Sequence, residues 1–332
     1  MVANLSSNET VIRGLNATHI TWSVLENFDL GQICTTSICV LTILLNGFFV
    51  TVLILERPLR TSFAVYLIVL AAGNIVNACF QNPLTLAIKD RFGALQLTIF
   101  CAIAYFVRQT AVGFVPLVHL FIGLNRLWAL LKPHSYRLRH TRRLAVTVCS
   151  VTGACIVVFL APPIILDAFH PHKPFHRIFC LLNMAQPGYV EWSLAFNVIF
   201  LVMPEVLIVL LCPLLLLHRT ALRQPVQVSQ APPSGSANKT AGTSDTGAEK
   251  RVRRKNSLRV LMLLTVSVIV CWTPVNVYYC FWTFFPSLVD NPVFYRTGNM
   301  LKILHSMLDP LLFIASLDDL RRACVNRLRC WV

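Results

Sequence analysis

The chain has 332 residues, of which 56% are apolar and 13% charged. That charged share is about half of what a soluble domain carries, so a soluble globular protein is excluded and a membrane protein expected. The net charge of +15 would suit a nucleic-acid binder, but its distribution, traced below, points to a cytoplasmic membrane face instead, and no nucleic-acid partner is expected. The 12 cysteines form no CxxC and no paired His–Cys spacing, so a zinc site is not expected, and the sequence points to no cofactor.

Residues 1–30 are polar and have no basic segment followed by an apolar one, so the first hydrophobic helix is expected to target the chain. This leader holds three N-glycosylation sequons, at Asn4, Asn8 and Asn16, usable only on the extracellular side. A fourth at Asn238 falls in a stretch placed in the cytosol and reads as an unused match. Apolar stretches long enough to span a bilayer follow at about 31–55, 62–88, 97–124, 144–166, 193–217, 258–284 and 293–316, which predicts seven crossings within residues 31–316. The third illustrates the geometry. From Cys101 to Arg126 an α-helix rises roughly 38 Å, so the two residues lie near opposite faces of the membrane.

An outside N-terminus puts the C-terminus inside, and the basic residues agree. Most of the 29 Lys and Arg, including Arg126, Lys132, Arg137, Arg139, Arg142 and Arg143 on one loop, fall on segments this layout places in the cytosol, as short cytoplasmic loops require. The third inside loop, 218–257, is largely Pro-, Ser-, Gly- and Thr-rich and is expected to be disordered. Its basic end, Lys250 to Lys255, suits anionic lipid headgroups or a protein partner. Residues 317–332 place Leu317, Leu320, Ala323, Cys324 and Leu328 near one helical face. An interfacial amphipathic helix is expected, with Cys324 or Cys330 as palmitoylation sites.

In order along these spans stand Asn46-Gly47, Leu70-Ala-Ala-Gly-Asn74, Cys101, Leu124-Asn125-Arg126-Leu127, Pro204, Cys271-Trp272-Thr273-Pro274 and Asp309-Pro310-Leu311-Leu312-Phe313. Through them the chain resembles the rhodopsin-like (class A) G-protein-coupled receptors from Asn46 to Cys330. The resemblance implies an all-α seven-helix membrane bundle with a short amphipathic eighth helix. It also implies a plasma-membrane receptor that carries an extracellular ligand's signal to a heterotrimeric G protein, with no enzymatic activity. It further implies a Cys101–Cys180 disulfide, a switch around Trp272 and Pro274, and exposure of Arg126 to the G protein. The departures matter. Asn125 replaces the acidic residue expected before Arg126, Arg254 stands where many relatives carry another, Cys212 and Phe313 replace tyrosines, and the fourth span lacks its tryptophan. A receptor-like protein that has lost G-protein signalling is therefore the alternative.

Polar residues inside the spans are costly and need partners. Asn74 and Asp309 look like an exchange of the family's usual pair, leaving one carboxylate between the second and seventh helices, held by hydrogen bonds or by sodium. Pro116 and Pro204 read as kinks. Arg108, seven residues below Cys101, should face the bundle and meet an anion, from the ligand or from the protein itself, or snorkel outwards; Lys302 raises the same question. Gln109, Asn276, Tyr279 and Asn299 would add hydrogen bonds around them, a lining suited to a small molecule or peptide with an anionic group. A retinal Schiff base at Lys302 is disfavoured, because opsins resemble one another in placing that lysine where Ile303 stands. No internal repeat suggests a transporter, and no convergent nucleophile, base or metal set suggests an enzyme.

Overall fold

The computed structural model describes residues 17–81, 94–168, 188–221, 259–260, 262–284 and 292–329, and among these there is no β-strand. The helices are α1 (Ala17–Leu55), α2 (Ser62–Gln81), α3 (Ala94–Leu131), α4 (Pro133–Arg139), α5 (Arg142–Ala168), α6 (Tyr189–Asn197), α7 (Met203–Ala221), α8 (Thr273–Phe284), α9 (Pro292–Ser316) and α10 (Asp318–Arg329). Five single stretches are long and apolar enough to cross a membrane, Ile33–Leu55, Ser62–Phe80, Ala102–Leu131, Arg142–Pro163 and Tyr189–Leu211. Two bent pairs, Met262–Cys271 with Thr273–Phe281 and Thr297–Ser316 with Asp318–Arg329, complete seven if each counts as one.

Large apolar side chains such as Val158 at 72% exposure and Ile33 and Leu44 at 62% cover the outside of these helices. In water such a surface would aggregate, whereas lipid tails solvate it. The interior is continuous, with Phe49, Leu67, Leu70, Val115, Ile122, Ile156, Ile208 and Trp272 in one buried cluster. α3 is the central post and touches α2, α5, α7 and the stretch before α7. α1 packs against α2 and α9, and α8 against α9.

Two boundaries differ from the hydropathy reading. α1 starts at Ala17, so residues 17–30 continue the helix; they contain no proline to stop it. α3 runs past Arg126 to Leu131, because Leu127, Ala129, Leu130 and Leu131 are good helix formers and the next proline after Pro116 is Pro133. Pro133 then sits in the first turn of α4, where its missing N–H costs nothing. At the turn between α1 and α2 Pro58 shapes a 3₁₀ helix, Arg57–Leu59, and Arg60 Nε donates to the Ile54 carbonyl at 2.7 Å, satisfying an end group of α1.

The expected kink at Pro204 takes a definite form. Residues Val198–Val202 make a π-helical turn between α6 and α7, absorbing the hydrogen bond that proline cannot donate. The turn brings Phe196 and Phe200 against α3 at Gly113, where an added Cβ would lie 2.9 Å from Phe196. Glycine there lets the two spans approach. α10 bends 105° away from the preceding helix and buries Leu320 and Cys324. Asn4, Asn8, Asn16, Cys180, Arg254, Cys330 and the loop from 222 lie outside the described residues, as does the Cys101 side chain; the expectations that rest on them are taken up below as proposals.

Candidate functional site

Three polar groups lie one below another along the bundle, each anchored on α3. The outermost is cationic. Arg108 is half-buried with its guanidinium 5.5 Å from the Tyr105 ring centroid, and Lys302 on α9 is only 6% exposed. The two are close enough for their charges to act on each other. Among the described residues no carboxylate stands within ion-pair distance of either. Gln109, Tyr279 and Asn299 are half-buried. Asn276 is differently placed from expectation: its amide donates to Glu205 Oε2 at 2.5 Å, and the Thr273 hydroxyl donates to Glu205 Oε1. Glu205, to which the sequence assigned no role, is thus the hinge contact between α7 and α8. Its position beside Pro204, facing the Thr273 of the Cys271–Pro274 turn, is the signal that could have found it.

The middle group surrounds Asp309. Asn74 Nδ2 donates to Asp309 Oδ2 at 2.8 Å, so the two residues read as an exchanged pair do meet. Asn46 joins them, its Nδ2 2.9 Å from the Ser306 carbonyl, which ties α1, α2 and α9. Sequence reasoning missed two histidines here. His119 Nε2 lies 3.0 Å from Asp309 Oδ1 and His305 Nδ1 3.6 Å from the same oxygen. All three side chains are buried. The absence of metal-ligating spacing among the cysteines therefore does not describe this protein's ligand atoms: His119, His305 and Asp309 have theirs within 4.8 Å of one another. The readable signal was His305 four residues before Asp309, on one face of an otherwise apolar helix. Trp272 stands edge-on to His305, ring centroids 6.1 Å apart, and its buried Nε1 has no hydrogen-bond partner. Pro274 and Pro310 bracket this level, and Phe313, without the hydroxyl of a tyrosine, stacks on Phe49 at 6.3 Å.

The innermost group lies where α3 ends and α4 begins. Arg126 rests its guanidinium carbon 3.4 Å above the Phe63 ring centroid, a cation–π contact, and its Nε is buried with no hydrogen-bond partner. Asn125 turns away from it. The Tyr136 hydroxyl donates to Asn125 Oδ1 at 3.0 Å, and Asn125 Nδ2 lies 2.6 Å from His140 Nε2. An amide N–H can only donate, so His140 Nε2 accepts and the ring is neutral with its proton on Nδ1. Burial, reinforced by the Arg126 charge, lowers the His140 pKa from its ordinary value, in keeping with that tautomer. Burial likewise raises the Tyr136 pKa, with Arg126 and the Asn125 hydrogen bond pulling against it, so the phenol keeps the proton it donates. Tyr136 and His140 stack at 4.6 Å and 13°, and Trp128 meets Tyr136 edge-on. This set clips α4 to the end of α3.

On α10, Cys324 is 3% exposed and packed into the core cluster, and burial raises its thiol pKa above the ordinary value. A model of the family described as 7 transmembrane receptor (rhodopsin family) matches residues 45–313, well over half of the chain. No curated protein matches it.

Proposed function

The chain belongs to the rhodopsin family of seven-transmembrane receptors, and from that premise we propose that it carries an extracellular ligand's signal to a heterotrimeric G protein. The observation that carries the ligand side is the pairing of buried Lys302 with Arg108, without a carboxylate partner among the described residues. A buried ammonium within the field of a half-buried guanidinium is stabilised by an anion, so the ligand is a small molecule or peptide with an acidic group. Binding there shifts the bundle only through differential affinity for its two states. In the responding state Arg126 leaves the Phe63 face and meets the G protein in the cytosol.

The rest of the reading follows from that orientation. The N-terminus is extracellular and glycosylated at Asn4, Asn8 and Asn16, the outer end is closed by a Cys101–Cys180 disulfide, and the protein sits in the plasma membrane. α10 is the amphipathic eighth helix, lying on the inner leaflet's lipids. Hydrogen bonding by Asn74, rather than sodium, satisfies one Asp309 oxygen. A second reading, a receptor-like protein without G-protein signalling, is favoured by Asn125, Phe313 and Cys212 at switch positions.

Nucleotide exchange on purified G proteins, with candidate acidic ligands added to membranes bearing the receptor, tests both. Arg108→Ala and Lys302→Ala should each weaken potency about tenfold or more while leaving surface expression near wild type. Unchanged potency in both variants overturns the anionic site. Failure of every G-protein class to respond to a ligand shown to bind supports the second reading.

A further inference from the structure

The Asp309 cluster contains a conflict of lone pairs. His119 Nδ1 lies 2.9 Å from the Val115 carbonyl oxygen, which can only accept, so Nδ1 carries that ring's proton and Nε2 is a bare lone pair when the ring is neutral. It faces the Asp309 Oδ1 carboxylate oxygen at 3.0 Å. Ser267 uses its one hydroxyl hydrogen on the Leu264 carbonyl at 2.9 Å. Its 3.2 Å contact with His305 Nε2 therefore needs the histidine to donate, which leaves His305 Nδ1 bare. That nitrogen is buried with no hydrogen-bond partner and lies 3.6 Å from the same Oδ1. Three electron-pair donors thus face one another, held by three separate second contacts: Val115 behind His119, Ser267 behind His305 and Asn74 on the other oxygen of Asp309.

One proton placed between His119 and Asp309 relieves the first contact and leaves His305 Nδ1 without a partner. A divalent cation satisfies all three at once. We propose that His119, His305 and Asp309 form a buried binding site for a borderline transition-metal ion of the zinc class. Tetrahedral bonds of 2.0–2.1 Å put ligand atoms roughly 3.3 Å apart, and the separations of 3.0 and 3.6 Å to Asp309 Oδ1 bracket that value. Two imidazole nitrogens and one carboxylate oxygen select zinc or its neighbours over sodium, magnesium or calcium, which favour all-oxygen shells. The fourth position falls to water. The contacts behind each ligand are those that fix the tautomer and orientation of metal-binding imidazoles. Such an ion would fasten α3 to α9 at the level of Trp272.

The test uses the full-length receptor, purified in detergent without an oligohistidine tag, incubated with zinc alone and desalted. Wild type should retain one zinc per chain and unfold at a higher temperature with zinc than after chelation. Cobalt in its place should give the visible absorption of a four-coordinate site. His119→Gln and His305→Asn should each abolish retention, and Ser267→Ala, which only frees the His305 ring, should weaken binding about tenfold or more. Joint replacement of His170, His172 and His176, three histidines close together in the sequence and outside the described residues, should change nothing. The wild-type cobalt spectrum decides the matter even if a variant folds poorly. No retained zinc and no cobalt band means the three groups share a proton, and zinc that survives both histidine variants sits elsewhere; either result overturns the site.

Discussion

Removing one hydroxyl from the cytoplasmic clip should raise ligand-independent signalling. Tyr136→Phe deletes the 3.0 Å hydrogen bond to Asn125 Oδ1 and keeps the ring stack on His140. A neutral hydrogen bond is worth about 0.5–1.5 kcal/mol net. Because Asn125 is 5% exposed, its carbonyl is then left short of a donor, which places the loss toward the upper end. The conformation that loses stability is the one in which Arg126 is folded onto Phe63 and withheld from the cytosol, so the ratio of signalling to resting states rises roughly two- to tenfold. Asn125→Asp should act in the opposite direction. A carboxylate there keeps the Tyr136 donor as a charged acceptor, whose hydrogen bonds contribute about 1.5–3 kcal/mol, and takes a hydrogen bond from His140 once that ring carries its proton on Nε2. Basal nucleotide exchange at matched surface expression is the assay. If Tyr136→Phe leaves basal exchange unchanged and Asn125→Asp does not lower it, the clip does not hold the resting state.

Cytosolic acidification should loosen the same clip. The His140 pKa is lowered in the folded clip, so the contact is fully present above the ordinary histidine value of about 6.5 and weakens as pH falls through it, when the released ring binds a proton that the clipped ring refuses. Basal exchange in open membranes should rise by at most about fourfold between about pH 7.5 and pH 6, and His140→Gln should flatten the profile. Cys101→Ala or Cys180→Ala should sharply reduce surface expression, and glycosidase should lower the mass of the wild type but not of a variant lacking Asn4, Asn8 and Asn16. Metabolic labelling with a palmitate analogue should mark Cys330 and not Cys324, because the Cys324 thiol is buried in the core cluster and held above its ordinary pKa, where little thiolate forms to attack an acyl donor; loss of label in Cys324→Ala alone would contradict this.

Hydropathy made the spans legible because a bilayer imposes length and composition on each helix independently of its neighbours. Single residues with strong backbone effects were legible for the same reason: Pro204 announces a break, and the π turn at Val198–Val202 is how the helix absorbs it. Pairings were harder. Asn74 with Asp309 could be inferred as an exchange, whereas Tyr136 and His140 reach Asn125 only because Pro133 starts a new short helix that folds them back, a tertiary fact with no periodicity of its own. Histidine was passed over for another reason. His119 and His305 are separated by 186 positions, and each alone resembles any polar residue tolerated in a helix. Only the i, i+4 relation of His305 to Asp309 was local.

The three polar groups share one stripe of α3. Arg108 and His119 are eleven residues apart and His119 and Arg126 seven, three and two turns within about 20° each, so the side chains line a single face with rises of roughly 16 and 10 Å. Pro116 lies between the first two, where it removes a backbone hydrogen bond and lets the upper segment tilt against the lower. A helix transmits rotation about its axis almost rigidly, and packed interfaces have discrete arrangements rather than continuous ones. A turn of α3 large enough to move Arg108 relative to Lys302 therefore also takes His119 off Asp309 and Arg126 off Phe63. Under the proposed function the three contacts would break together, so a ligand that favours one arrangement at the outer end would need no chain of intermediate side chains to be felt at the inner one.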